Sequence, residues 1–464
     1  MVSRFPSLAG AAVLVAGCAP QVELASTPTV QSPQWRDSSV ANLAPPPPPV
    51  QAQGLPTSLA GAFRSPELAA LIGRALAANA DIGAAAARIA QARAQLGIAR
   101  AAALPVVTAS AGLSETRTDD SGNSLFDFSN GVAGLDVSWE IDLFGRLAAG
   151  RRAARARYAA AAFDRDAVAL AVEAETARAF VQHAALGDRI RLLDRSIASA
   201  RELERIIGVR RRLGVASRVE TGIAAVEARQ LEVERSRLIQ ARSRIGNALA
   251  VLAGAEAPVF TPPQASLAAF ALPVPAISQP PELVVRRPDV RAAEARIAAA
   301  SGDVRQARAA FFPQLSLSAS GIGQAASLGG PLGATLAVGA DLLAPIFDRG
   351  RLNGRLHLAS AVQRESVETY RSALLNALRE AQDALSATAE ARTRHALLAE
   401  IVEEARETAR LARIQYVEGE ADLQTVLDAE QRLVAVEDAL AMATQERLEA
   451  AIDLYRAMGG SPRA

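Results

Sequence analysis

Two hydrophobic periods alternate along this chain. Most of it repeats every three to four residues, as in Leu186, Ile190, Leu193 and Ile197, the stripe of a helix packed against other helices. A few short stretches alternate every second residue instead. The clearest is LDVSWEIDLF, 135–144, in which Leu135, Val137, Trp139, Ile141 and Leu143 are apolar and Asp136, Ser138, Glu140 and Asp142 are polar. Period two over that length predicts a strand with one apolar and one wet face. Similar stretches are PVVTASAG from Pro105, PQLSLSASG from Pro313, and 335–347. Loops rich in Asp, Ser, Asn and Gly separate the members of each pair, which predicts two hairpins, 105–144 and 313–347.

The helical pattern is long as well. Residues 146–212 and 350–417 contain no Pro. At ~1.5 Å per residue each predicts a helix approaching roughly 100 Å. Sharp changes at Gly214 and Gly419 lead into antiparallel returns, 217–253 and 422–458. Shorter helices over 81–103 and 289–311 precede the strands and end ahead of Pro105 and Pro313. Such lengths favour coiled-coil-like packing over ordinary bundle helices.

The order of elements occurs twice because the sequence does. Laid over 289–319 at a constant offset of 208, residues 81–111 give 15 identities in 31 positions, among them Asp81/Asp289, Arg88/Arg296, Arg100/Arg308 and Pro105/Pro313. Alanine inflates such a score, but matched Asp, Arg and Pro without a gap point to internal duplication. The expected organisation is a first repeat over 63–280, with its long helical hairpin at 146–253, and a second over 281–464, with its hairpin at 350–458.

Composition changes the picture at the N-terminus. Arg4 is followed by an uncharged apolar run, too short to span a bilayer and suited to a signal-peptide core over 1–17. Val15-Ala16-Gly17-Cys18 resembles the bacterial lipobox, whose Cys becomes the lipidated first mature residue. Cys18 is the only Cys in the chain, so no intrachain disulfide exists. Ala19 rather than Asp follows it, which removes the inner-membrane retention signal of that class and predicts delivery to the outer membrane. Residues 18–62, with the run Pro45–Pro49, read as a lipidated tether. Elsewhere, 50% hydrophobic residues with only 4% aromatic suit close, Ala-rich helix packing. The net charge of +1 gives no field for nucleic acid. All 50 basic residues are Arg, which matches a biased codon usage that also enriches Ala.

No stretch reads as a spanning helix, because the longest uncharged segment, 311–340, is rich in Gly and Ser and holds Pro313 and Pro331. A membrane crossing would therefore use strands. Four strands cannot close a barrel, and lipid does not tolerate open edges. Three copies would give about twelve strands, within the range of transmembrane barrels, whereas two would give about eight and no wide channel. In the trimer, Val137, Trp139 and Ile141 would face lipid, and Asp136, Glu140 and Asp142 a wet lumen. The pattern alone also allows a soluble sheet capping a helical bundle.

The segment LVVRRPDVRAAEARIAAASGDVRQARAAFFPQLSLSASG, 283–321, closely resembles the hallmark of TolC/OprM-type outer-membrane efflux proteins, and most of all their NodT-type lipoprotein subgroup, which serves RND tripartite efflux systems. WEIDLFGR (139–146) and IFDRGRL (346–352) match further motifs of that family, and the resemblance covers roughly 65–460. It implies a mainly α protein with a membrane β-barrel portion, in which a homotrimer closes one twelve-stranded barrel in the outer membrane. Coiled-coil-like helices extend as a tunnel into the periplasm. The duct would be passive, docking on a periplasmic adaptor and an inner-membrane pump to export small molecules such as drugs and toxic compounds.

By the same resemblance, LGVAS and VEGEAD place adaptor-docking tips at Gly214, Val215, Ala216 and Ser217 and at Gly419, Glu420, Ala421 and Asp422. YVEGEADLQTVLDAE, 416–430, puts Asp428 at a pore-lining Asp and Tyr416 at a gating Tyr, and Glu220 matches an acidic position that helps to hold the aperture closed. Thr425 stands where some members carry a second Asp, and Ala421 lacks a basic side chain of their closed network. Independently of the family, three copies of one carboxylate around an axis would attract cations. As isolated residues, Asp428 and Glu220 equally read as solvated helix-face charges, and the glycines as loop turns.

Other readings share parts of this pattern. A duct for protein or peptide secretion or for metal export would have the same fold, and a non-channel coiled-coil lipoprotein would share the helices. No catalytic, metal or cofactor site is expected. His183, His357 and His395 form no HExxH and read as helix-surface side chains, the 321–333 glycines have no Walker Lys, and runs such as EARETAR are helix-face ion pairs.

Overall fold

The computed structural model describes residues 59–120, 124–272, 280–325 and 332–460, with positions 28, 29 and 35. The signal-like segment, Cys18 and the proline run lie outside the described residues. The described elements, in order, are α1 (Leu59–Phe63), α2 (Pro66–Ala78), α3 (Ala80–Ala101), β1 (Val106–Asp120), β2 (Ser124–Ile141), α4 (Arg146–Arg212) and α5 (Arg218–Leu252). After a 3-10 turn at Leu267–Ala269 come α6 (Pro280–Arg286), α7 (Pro288–Ala309), β3 (Gln314–Ala325), β4 (Leu332–Leu343), α8 (Arg349–Glu418) and α9 (Leu423–Ala457). Among the described residues no single helix is long and apolar enough to cross a membrane.

The chain forms two compact units. One draws on Ala87–Ala162 and Ala292–Ser372 and holds the strands, a four-stranded antiparallel sheet in the order β1-β2-β3-β4. Its register puts like with like. Val107, Val137, Ala319 and Val338 stand in one row, and Leu317, Trp139 and Ala340 in another. Between them lies a row of Ser138, Ser318 and Gly339. Opposed residues share a face, so alternation in each strand becomes one apolar and one polar face of the whole sheet.

The structure moves both ends of the strand expected at 135–144. β2 begins at Ser124, because backbone pairing with β1 runs on to Asp120 opposite Ser124 although alternation has stopped. It ends at Ile141, and Asp142, expected on the wet face, leaves the strand altogether. Its carboxylate caps α4, accepting from the Leu147 N–H at 3.1 Å and the Ala148 N–H at 2.7 Å, after Gly145 turns the chain at φ +75°. Glu140 accepts from Arg146 at 3.1 and 2.5 Å across the same turn. The WEIDLFGR motif is thus the chemistry of a strand-to-helix junction. Trp139 donates from Nε1 to the Ala103 carbonyl at 3.0 Å, and Phe144 stacks on Phe312 with centroids 4.9 Å apart. Close helix packing in this unit depends on Gly302, where a Cβ would stand 2.8 Å from the Ala153 Cβ.

The other unit draws on Thr29–Ala86, Phe163–Arg291 and Ala373–Ala464. Its main core gathers Phe63, Leu68, Leu71, Phe180, Leu249 and Ile452, with Phe270 edge-on to both Phe63 and Phe180. Ser65 caps α2 by accepting from the Leu68 N–H. The LVVRRPDV hallmark has its physical reason here. Arg287 donates to Asp289, to Glu380 and to the Ala457 carbonyl, which ties α6 and α7 to α8 and α9. One expectation fails in this unit. His183 is only 5% exposed, because the α4 face carrying it is covered. His357 is exposed and His395 half-buried, and Arg406 and Arg410 pair with Glu403 and Glu407 on the α8 surface.

Candidate functional site

The two helical hairpins end in turns built by the same rules. At the first, the Gly214 N–H donates to the Arg211 carbonyl and the Val215 N–H to the Arg210 carbonyl, at 3.0 and 2.9 Å. At the second, Gly419 donates to Tyr416 and Glu420 to Gln415, at 3.2 and 2.8 Å. Both are Schellman closures, which need a residue at positive φ, and the glycines supply +80° and +84°. Each return helix is then capped. Ser217 and Glu220 form a reciprocal capping box on α5, while Asp422 accepts from the Thr425 N–H at 2.8 Å and its hydroxyl at 2.6 Å on α9.

A small apolar cluster joins the hairpins just behind these turns. It holds Leu203 and Ile207 of α4, Ala224 of α5, Tyr416 of α8, and Leu423, Val426 and Leu427 of α9. Arg210 closes over it. Its guanidinium lies 4.6 Å from the centroid of the Tyr416 ring and donates from Nη1 to the Tyr416 carbonyl at 2.8 Å. Burial pushes the Tyr416 phenol up, Arg210 pulls it back and Glu220 adds to the rise. Its hydroxyl has no hydrogen-bond partner among the described residues. Asp428 lies beyond this cluster on the exposed side of α9, accepting from Gln424 Nε2 at 2.6 Å.

The sheet presents the other candidate surface. Leu135, Trp139, Leu317, Leu336, Val338 and Leu342 all lie on its apolar face and are exposed. From Ile141 back to Gly131 that face runs about ten residues, roughly 33 Å along the strand, or about 25 Å of height at a barrel's usual tilt.

Residues 71–255 and 280–460 match the family described as outer membrane efflux protein. The chain belongs to this family. Among its relatives, the pyoverdine export outer membrane protein OpmQ of Pseudomonas aeruginosa is 34% identical over 419 residues, covering 86% of each chain. The outer membrane protein OprJ of the same species is 31% identical over 402 residues, covering 85% of this chain and 84% of its own. Among solved structures, the outer-membrane channel OprN superposes with a TM-score of 0.82 at 27% identity, covering 94% of this chain and 99% of its own. The open state of the MtrE channel of Neisseria gonorrhoeae gives 0.83 at 26%, covering 96% and 98%.

This efflux protein is therefore of the TolC/OprM type, an outer-membrane channel component with a four-stranded sheet per chain and long helices that form a tunnel in the periplasm. The residues expected at its aperture are not gathered into one network. Glu220 is engaged in the α5 cap and its charge adds to the rise of the Tyr416 phenol, while Asp428 stands apart on its own helix face. Tyr416, expected at the constriction, is 2% exposed within the chain, because its ring completes the cluster between the hairpins. Arg210 was missed by sequence reasoning. It lies 206 residues from Tyr416, and its only local signal is the run Arg210–Arg212 in the last turn of α4.

Proposed function

We propose that this efflux protein acts as a homotrimeric passive duct, lipid-anchored at Cys18, receiving small organic molecules from a periplasmic adaptor and an inner-membrane RND pump. The observation that carries the reading is the sheet. Among the described residues strands β1 and β4 are each paired on one side only, and one face is apolar and exposed, an arrangement that lipid admits only after closure with further copies. Val137, Trp139 and Ile141 then face lipid, and Asp136 and Glu140 the lumen. The similarity to a pyoverdine export protein favours small organic cargo over polypeptide. The family's channel character supports a duct without catalytic chemistry of its own. In this reading residues 1–17 are removed, 18–62 tether the chain, and the repeats run over 63–280 and 281–464.

The turns at 214–217 and 419–422 are the adaptor-docking tips. Leu213, 75% exposed, and Val219, 69% exposed, flank the first and supply apolar surface for a partner. Asp428 from three copies forms a cation-attracting ring behind the tips. The deciding experiment is the mass of the detergent-extracted protein together with its conductance in planar bilayers. A particle about three times the 48.3 kDa chain, with open channels, is expected. A monomer that never conducts overturns the duct. A photo-cross-linker at Ala216 then identifies the adaptor.

A further inference from the structure

A groove of about 480 Å³ lies where the segment after α5 meets α4 and α5, with His183 and Ile190 on α4, Ile239 and Arg242 on α5, and Phe260 and Gln264 beyond them. Its charge is unbalanced. On α4, Arg191 pairs with Asp188, whose second oxygen accepts from the Ser266 hydroxyl at 3.1 Å and the Leu267 N–H at 2.8 Å. On α5, Arg235 donates to Asp194 of α4 at 2.5 Å. Both nearby carboxylates are thus committed. Arg242 forms no ion pair among the described residues, and its one hydrogen bond, from Nη2, goes to the neutral amide oxygen of Gln264. Burial and the repulsion of Arg191 lower its pKa, against the pull of Asp188. Its Nε is buried and has no acceptor.

Beside it, His183 is buried and its Nδ1 has no partner among the described residues. Burial and the neighbouring guanidinium hold that imidazole down to about 4, so it is neutral at pH 7. His183 and Arg242 therefore both line the groove, each with an enclosed nitrogen that has no acceptor, and Arg242 is a cation whose nearest carboxylate, Asp188, is already engaged by Arg191, Ser266 and Leu267. A buried unpaired donor costs on the order of 1–3 kcal/mol, and a half-buried unpaired cation costs more. An oxyanion in the groove would supply Arg242 with a counter-charge and the outer nitrogens of both side chains with an acceptor, and Ile190, Ile239 and Phe260 would cover an apolar body attached to it.

We propose that this groove binds a small organic oxyanion, a carboxylate or phosphate, with Arg242 supplying charge and a hydrogen bond from Nη1 and His183 donating from Nε2. The site is independent of the duct, so failure of either reading leaves the other standing. A bound anion favours protonated His183 by cancelling the repulsion from Arg242, so binding tightens as pH falls.

The test is calorimetric titration of the full-length protein in detergent with glutarate and, separately, inorganic phosphate. One saturable site per chain is expected for at least one of them, tighter at pH 5.5 than at 7.5, and the two probes tell carboxylate from phosphate sources. Arg242→Gln weakens it at least about tenfold. Arg244→Gln, an exposed neighbour on α5, leaves it unchanged. His183→Gln lowers the ratio of affinity at pH 5.5 to that at pH 7.5 relative to the parent, leaving only the dependence that the probes' own titration gives. If Arg242→Gln folds poorly, Gln264→Glu serves instead, because it offers Arg242 a carboxylate within the chain and so abolishes binding while raising the melting temperature. No saturable binding by about 10 mM of either probe, equal losses in Arg242→Gln and Arg244→Gln, or undiminished binding in Gln264→Glu each overturn the site.

Discussion

The two hairpin tips are copies that kept their skeleton and exchanged their surface. Both close with a Schellman glycine, and both restart three residues later with a side-chain cap. The first carries Arg210, Arg211, Arg212 and Arg218 against the single acid Glu220, with Leu213, Val215 and Val219 exposed. The second carries Glu418, Glu420 and Asp422 and no basic residue. Backbone closure tolerates few residue types, so duplication preserved it. The solvent-facing positions were free to take opposite charge. Contact between the tips comes instead from Arg210, which crosses from the basic tip to the ring and carbonyl of Tyr416 on the acidic one.

The strongest way to break this pairing is Tyr416→Ala, which empties the cluster shared by the hairpins. A loss of about 3–5 kcal/mol is expected, read as faster amide exchange in the last turns of α4 and α8 and as a larger single-channel conductance. Tyr416→Phe is the control. It deletes a buried hydroxyl that has no partner among the described residues, so stability should hold or rise slightly. Unchanged exchange in the alanine variant would show that the hairpins are held elsewhere.

Next in size is Arg210→Gln, which removes a charged hydrogen bond and a cation–π contact, together about 1–3 kcal/mol. Arg211→Gln, exposed and one residue on, should change stability by no more than about 0.5 kcal/mol. Equal effects would mean that the basic tip acts through its general field and not through one contact.

How much of this could be read beforehand depends on the range of the interaction. The long helices, the glycine turns and the four strands announce themselves within windows of ten to twenty residues, because period and turn chemistry are local. The extension of β2 back to Ser124 was not legible, since Asn130, Gly131 and Gly134 interrupt alternation and only the partner strand keeps the backbone extended. Asp142 reads as one more polar strand position, and only the turn at Gly145 reveals it as a helix cap. The settings of Tyr416, Arg210 and His183 were not legible for a single reason. Each owes its setting to segments far away in sequence, and a helix face that looks ordinary in isolation is covered by another helix.

A smaller effect sharpens what the tips share. Gly214→Ala and Gly419→Ala put a Cβ at positive φ where nothing else stands within 4 Å, so only backbone strain is added. About 1–2 kcal/mol is expected at each, and equally. Asparagine at the same positions should recover part of it. A marked inequality in the two melting shifts would mean that one turn is shaped by contacts and not by its own closure.

The smallest effect separates the tips by acid. The bonds from the Thr425 hydroxyl and N–H hold the Asp422 carboxyl below its ordinary value of 3.8. A depressed carboxyl stabilises the folded form above that value and loses its contribution as pH falls through the lower one. The Ser217 hydroxyl, which accepts from the Glu220 N–H, has no proton to gain in this range. Acidification from pH 5 to below 3 should therefore speed exchange of the Thr425 amide more than that of Glu220, after correction for intrinsic rates. Ser217→Ala, costing about 1 kcal/mol, should loosen the first tip equally at both pH values. If the Thr425 amide keeps its protection on acidification of the parent protein, the Asp422 cap is not what fixes the second tip, and that turn would have to be held by the cluster behind it.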